Sequence, residues 1–332
     1  MRPVLICAVI FVVTMSWCTA QETPAAVSQV AEAVTEEVWP PAPAPDELPP
    51  YLSPPSAEPL RPVRKTVPGK LTVPPIAQTP EPAVPEIPRP KFDQDAAPAL
   101  TLVYPSAGGS IDEGDAQVVW NTGGAIAYVR LSYTGENCAL GGRPRGTFTN
   151  SLAKVTNKGT YQWKAPWLDA AEIKLNLVGY GLDGKQLATA QATYQFHPRI
   201  VQDKPKTCIV VSKGHQRLWY LKDGLIKRMH VISTAAGGFY TPSMRPGSYD
   251  RTRGAMGRVF SKSFAPMSRE YQVIMYYWLQ ITASGSHGIH ATSPPFYRRL
   301  GGPASHGCIR QHKDDARILW GLVRVGTPVY VQ

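Results

Sequence analysis

Twenty of the chain's 33 prolines fall between Gln21 and Pro98. Pairs such as Pro40-Pro41, Pro49-Pro50, Pro54-Pro55 and Pro74-Pro75 punctuate this stretch. Proline donates no backbone hydrogen bond and locks φ, so so dense a run is incompatible with helix interiors or central strands and favours extended polyproline II. Residues 21–98 therefore read as a disordered, semi-rigid tether with little core of its own, apart from one short helix expected over 26–38. Any fold must come from the remaining residues of this 332-residue chain.

Before the tether, Met1-Arg2-Pro3 is a short basic start, Val4 to Met15 is almost wholly apolar, and Cys18-Thr19-Ala20 supplies small residues. This pattern reads as a secretory signal peptide over 1–20, cut after Ala20. The apolar run is shorter than the roughly 20 residues of a comfortable membrane span. An uncleaved anchor is the alternative. No other run is apolar enough to cross a membrane, so no span is expected after cleavage. Export implies an oxidising compartment, and cleavage leaves Cys138, Cys208 and Cys308. Pairing Cys138 with Cys208 would leave Cys308 free; reduced, buried singletons are the other option.

Charge is uneven. Residues 21–98 carry 6 basic and 11 acidic side chains, residues 99–198 carry 8 and 7, and residues 199–332 carry 20 and 6, or net +14. So basic a C-terminal part suggests an anionic partner. For an exported protein, an acidic polymer of the cell envelope fits better than nucleic acid.

From Leu100 to Phe196 the pattern changes to short alternating runs, among them Gln117-Val118-Val119-Trp120, Tyr128 to Tyr133, and Ile173 to Leu177. Asn121-Thr122-Gly123-Gly124 and Leu182-Asp183-Gly184-Lys185 supply turns. Period-two alternation predicts antiparallel strands, about seven in about 100 residues, hence an immunoglobulin-like β-sandwich over 99–198. Trp120 and Trp163 are expected in its core. From residue 199 the chain stays mostly β, with a hairpin turn at Lys222-Asp223-Gly224 and a strand from Met275 to Ile281. Asp314 and Asp315 suit a helix start, and Ala316, Leu319, Trp320 and Val323 follow at helical spacing. His197, His215, His230 and His312 show no partner pattern and are read as surface or loop residues.

The chemistry gathers in Gly288-Ile289-His290-Ala291 and Ser305-His306-Gly307-Cys308-Ile309-Arg310. A thiol is a weak nucleophile until an imidazole takes its proton, and a neighbouring histidine is expected to lower its pKa. His290 and His306 are both candidate bases. Gly307 permits a tight turn that aims successive amides at an oxyanion. Arg310 suits a carboxylate. Two other readings stay open on spacing alone. His287, His290, His306 and Cys308 resemble zinc-ligand pairs, and the cysteine is also compatible with a purely structural use.

Residues from about 207 to 332 resemble the L,D-transpeptidases of the YkuD type. The resemblance rests on His290 followed by Ser305-His306-Gly307-Cys308-Ile309-Arg310. Gln216-Arg217-Leu218, Thr241-Pro242 and the closing Val325-Gly326-Thr327-Pro328-Val329 support it. It implies a β-rich catalytic domain over 199–332, with one helix after the cysteine motif. It also implies Cys308 as nucleophile, His290 as proton acceptor, and the Ala291 backbone carbonyl as the group that orients His290. His306 and Gly307 would shape the nucleophile loop, and the Gly307 and Cys308 amides would form the oxyanion hole. Arg310, Ser305, Tyr276 and Tyr277 would contact substrate. The implied substrates are peptidoglycan stem peptides, with an envelope protein as one further acceptor and no cofactor or resident metal. Two departures stand out. Ala291 replaces the more common Gly or Ser, and Thr241 to Gly247 replaces a shorter Thr-Pro-Thr-Gly.

Overall fold

A computed structural model describes residues 86–332. The signal segment, the expected helix over 26–38 and most of the proline-rich segment lie outside the described residues. Nine strands come first: β1 (Phe92–Asp93), β2 (Ala99–Tyr104), β3 (Ser110–Asp112), β4 (Gly114–Gly123), β5 (Tyr128–Glu136), β6 (Thr147–Thr156), β7 (Thr160–Ala165), β8 (Glu172–Tyr180) and β9 (Gln186–His197). They form two sheets. In one, β4 pairs with β1, β2 and β7; the other has the order β3-β9-β8-β5-β6. Alternation sends Trp120, Trp163 and Val118 from the first sheet, and Val129, Leu131, Leu175 and Phe196 from the second, into one shared core. The result is a β-sandwich of nine strands rather than about seven. Phe92–Asp93, inside the stretch read as tether, pairs in parallel with Thr122 and Gly123 of β4. The Lys91 N–H also donates to Asn121 at 2.8 Å.

The short helix α1 (Arg199–Gln202) leads into β10 (Cys208–Ser212), β11 (Arg217–Lys222), β12 (Leu225–Ser233), β13 (Ser248–Asp250) and β14 (Gly254–Ser263). The small hairpin β15 (Met267–Ser268) and β16 (Val273–Ile274) follows, then β17 (Trp278–Thr282), β18 (Gly288–Ala291), β19 (Ile309–Gln311), α2 (Lys313–Leu322) and β20 (Val329–Val331). All but β15 and β16 join one nine-stranded sheet, β13-β14-β17-β18-β19-β12-β11-β10-β20. Its central strands are apolar on both faces, so they read as continuous runs. Ile209, Val211, Leu218, Tyr220 and Ile232 enter the core that Leu319 of α2 and Val323, just after it, cover. Their alternates Val210, Trp219, Leu221 and Val231 pack with Cys138 and Leu140 from the sandwich. At about 25 cal/mol per Å² of apolar area, this second layer adds stability that a free-standing sheet would lack.

Polar contacts cross the same junction. Arg217 donates two 2.6 Å hydrogen bonds to the Asp169 carboxylate, and the Gly141 N–H donates to Asp315 at 3.0 Å. The sandwich and the nine-stranded sheet accordingly belong to one compact unit. Asp314 and Asp315 lie in the first turn of α2, as expected, but the cap is His312, whose side chain accepts from the Asp314 N–H, and Asp315 is buried at this junction. One expectation is corrected here. His230 is not a surface residue: β12 is covered on both faces, and the ring is 3% exposed with Nδ1 2.6 Å from Gln311 Oε1. No helix among the described residues is long and apolar enough to cross a membrane.

Candidate active site

Strands β18 and β19 run parallel, with Ile289 opposite Ile309, His290 opposite Arg310 and Ala291 opposite Gln311. Paired residues of parallel strands point to the same side, and neighbours alternate. Ile289 and Ile309 enter the core. His290 and Arg310 therefore share the opposite face, and Cys308, one step before β19, falls on that face too. The chain separation of His290 and Cys308 is thus removed by adjacent strands. Gly288 stands beside the cysteine, and its backbone N–H is directed at the sulfur. A side chain at Gly288 would collide with the Trp278 ring. Trp278 also packs on His290, with ring centroids 5.8 Å apart.

His290 Nδ1 lies 2.8 Å from the Ala291 carbonyl oxygen. A carbonyl only accepts, so Nδ1 carries the proton and Nε2 is left as the basic nitrogen. Ala291 is held in turn: its N–H donates to the Tyr276 carbonyl at 2.9 Å. Burial lowers the His290 pKa to about 4, against the Ala291 contact, which raises it. Burial likewise pushes the Cys308 thiol up, with the Gly288 N–H opposing. This corrects the expectation of a lowered thiol pKa. Burial thus favours the uncharged form of each group, lowering the His290 pKa and raising that of Cys308.

The nucleophile loop is held from behind. Ser305 is 1% exposed; its N–H donates to the Thr234 carbonyl at 2.9 Å, and its own carbonyl accepts from Ala236 at 3.0 Å. The Gly307 N–H donates to Ser305 Oγ at 3.1 Å. The Thr241 hydroxyl accepts from the Ala235 N–H at 2.9 Å and donates to the Gly307 carbonyl at 2.7 Å. Gly307 has φ +139°, and an added Cβ would lie 2.9 Å from His287 Nε2. That nitrogen is 3.2 Å from the Tyr240 carbonyl, and Nδ1 is 3.0 Å from Ser286 Oγ. Ser305, expected to touch substrate, is instead an internal brace. The Gly307 amide, expected in the oxyanion hole, is directed at Ser305 in this structure.

His306 is exposed at the mouth, its ring between Phe239 at 4.4 Å and Tyr271 at 4.7 Å. Tyr271, carried by the β15–β16 hairpin, lies close enough to Cys308 and Arg310 to feel both. Arg310 donates to the Ala304 carbonyl at 3.2 Å, and among the described residues it makes no ion pair with a carboxylate. Tyr276 contributes its backbone to Ala291 and packs its ring on Phe264 at 5.9 Å. Tyr277, expected at the substrate, has φ +59° and packs against Phe264 and Trp320 of α2. Thr241, Trp278 and Tyr271 were not assigned to the site from sequence, and His287 entered only as a candidate zinc ligand. Of the first three only Thr241 carried a signal, in the Thr241-Pro242 pair.

The four candidate zinc ligands do not converge. His287 lies behind Gly307, His290 engages Ala291, and His306 is sandwiched at the rim. No group of three or more His, Cys, Asp or Glu among the described residues is placed to hold a metal ion. Cys138 and Cys208 are unpaired and buried, with thiol pKa values raised by burial to about 12 and about 11.

No curated protein matches the chain. Among solved structures, an L,D-transpeptidase from Stackebrandtia nassauensis is 24% identical, with a TM-score of 0.33 over 40% of this chain and 58% of that one. The present chain thus spans little more than half the length of that relative. One from Mycobacterium smegmatis is 17% identical, with a TM-score of 0.33 over 70% of this chain and 99% of that one. The catalytic domain of an E. faecium L,D-transpeptidase is 24% identical, with a TM-score of 0.31 over 39% of this chain and 99% of that one. Residues 206–331 match the model of the YkuD family, the L,D-transpeptidase catalytic domain.

Proposed function

We propose that the chain is a cysteine L,D-transpeptidase acting on peptidoglycan stem peptides, with Cys308 as nucleophile and His290 as base. The observation that carries this reading is the His290–Ala291 contact at 2.8 Å, on the strand paired with that of the cysteine motif. It leaves Nε2 basic on the face that Cys308 shares. The Cys308 sulfur attacks the carbonyl of the third stem residue, a diamino acid, as Nε2 takes the thiol proton. The Cys308 amide is assigned to the developing oxyanion. Collapse breaks the C–N bond, and the imidazolium gives its proton to the departing D-Ala amine. A buried imidazolium is a strong acid, which favours that transfer. A side-chain amine of a second stem then attacks the thioester and yields its proton to His290. The thiol is released and reprotonated, leaving a 3→3 crosslink.

Water as acceptor gives L,D-carboxypeptidase activity, a D-amino acid gives exchange, and a protein lysine gives anchoring to the wall. The basic C-terminal part, net +14 over residues 199–332, suits a carboxylate-rich polymer. Together with the apolar start at Val4 to Met15, this charge supports a site of action in the cell envelope, in wall biogenesis and cell shape. Muropeptide analysis after incubation with defined tetrapeptide stems tests the reading. Crosslinked dimers with released D-Ala support it. Tripeptides alone make the protein a carboxypeptidase, and unchanged stems remove the proposal.

A further inference from the structure

The outward face of the five-stranded sheet of the sandwich gathers cations and aromatic rings. Val129 and Leu131 of β5 enter the core, so Tyr128 and Arg130 point outward. Strand pairing sets Tyr128 opposite Tyr180 of β8, and Arg130 opposite Lys154 of β6. Arg130 and Lys154 are both exposed. Like charges directly opposite each other across a sheet destabilise it. The two rings offset that cost. The Arg130 guanidinium lies 5.2 Å from the Tyr180 ring centroid, and the Lys154 ammonium lies 5.0 Å from that of Tyr128 and 5.7 Å from that of Tyr180. Neither cation makes an ion pair with a carboxylate among the described residues. On β5 and β8 the carboxylates of this face are Glu136 and Glu172. They stand six residues from Arg130 and from Val178, its partner on β8, or about 20 Å along the strands. The next row, Ser132 between Ser151 and Asn176 with Gln191 beyond, adds hydroxyls and amides.

We infer that this face is a docking surface for the peptidoglycan polymer, on which Arg130 and Lys154 hold stem-peptide carboxylates while the adjoining hydroxyls and amides meet the sugars. The identity of the occupant rests on the wall-directed reading above. Two neighbouring cations without a carboxylate select an anion, and the tyrosine rings hold them in place without neutralising them. A flat sheet face suits an extended polymer, whereas a small ligand is ordinarily enclosed in a concave pocket. None of these residues belongs to the candidate active site. Docking here raises the local concentration of stems around the catalytic part, which gives the sandwich a use of its own.

The test is pelleting of the full chain with purified sacculi freed of phosphate polymers. A Cys308→Ala background keeps acylation out of the measurement. Replacing Arg130→Gln together with Lys154→Gln should weaken binding about tenfold. Replacing Lys91→Gln together with Lys164→Gln removes two exposed cations beside the other sheet and should leave binding near its starting value. Sacculi with amidated carboxyls should bind the background protein and both double variants alike. Circular dichroism should be the same for all three. Equal binding of native sacculi by the two double variants overturns the inference, because net charge alone would then account for the attraction. Tighter binding by the Arg130→Gln, Lys154→Gln protein also overturns it, since the chain's own acidic segment over residues 21–98 would then be the occupant. A dimer seen by sedimentation velocity and lost in that variant would assign the face to a second copy instead. Thioester formation, followed by intact mass with Cys308 in place, should keep its rate in the Arg130→Gln, Lys154→Gln protein. The predicted ranking in a protein that forms no thioester would support this surface and refute the transpeptidase reading.

Discussion

The Thr241 hydroxyl donates to the Gly307 carbonyl at 2.7 Å and accepts from the Ala235 N–H at 2.9 Å. One buried side chain thus ties the nucleophile loop to the end of β12. Thr241→Val keeps the shape but leaves a buried donor and acceptor unpaired, at a cost of about 1–3 kcal/mol. A lower thermal midpoint together with a lower kcat is expected. An unaltered kcat would show that the tie does not position Cys308.

Gly307 occupies a backbone region that a side chain rarely tolerates, and His287 fills the space behind it. Gly307→Ala is expected to strain the loop by about 1–3 kcal/mol and to lower the acylation rate more than tenfold. Stopped-flow acylation alongside circular dichroism checks this. Wild-type acylation kinetics in a folded variant would contradict it.

The two strands of the site also rank their residues. General-base catalysis contributes about 10²–10⁴-fold, whereas one charged substrate contact is worth about 1.5–3 kcal/mol. His290→Ala should therefore lose more turnover than Arg310→Ala in the same crosslinking assay. Turnover in His290→Ala equal to wild type would refute its role as base.

The pH response follows from burial. The folded pKa of His290, about 4, lies below its ordinary value of 6.5. Between these values the unfolded chain binds a proton that the native protein does not, so stability falls as pH is lowered through this window. His230 and His287 are shifted in the same direction, also by burial. Urea unfolding should give a lower free energy at pH 4.5 than at pH 7, and His290→Asn should flatten that slope. The acid limb of kcat/KM should lie near pH 4. A limb at pH 6.5 would mean that the base is exposed to water.

Much of the fold was legible because alternation reports which side of a strand is buried. Ile173 to Leu177 alternates as its sheet requires, whereas Val118, Val119 and Trp120 are buried in succession. Where both faces are covered the signal vanishes: β12 carries His230 inward on the α2 side, on the face of Leu218 and Ile232, while Met229 and Val231 pack toward the sandwich. The pairing of His290 with the Cys308 strand followed from the motif's resemblance, and the register of β18 and β19 supplies its physical basis. Thr241, His287 and Tyr271 reach the site on loops whose paths no local pattern encodes. The thiol pKa was misjudged for a related reason, since a neighbouring histidine is visible in sequence and the burial that opposes it is not.

The central claim is that Cys308 is the acylated nucleophile. Intact-protein mass spectrometry after incubation with a carbapenem, the acylating class that the family resemblance suggests, reads this directly. Among Cys138, Cys208 and Cys308, the first two are buried singletons and should stay unmodified. The wild-type protein should gain the mass of one ring-opened carbapenem, mapped to the peptide containing Cys308, and Cys308→Ala should gain none. An adduct that persists in Cys308→Ala would contradict the assignment.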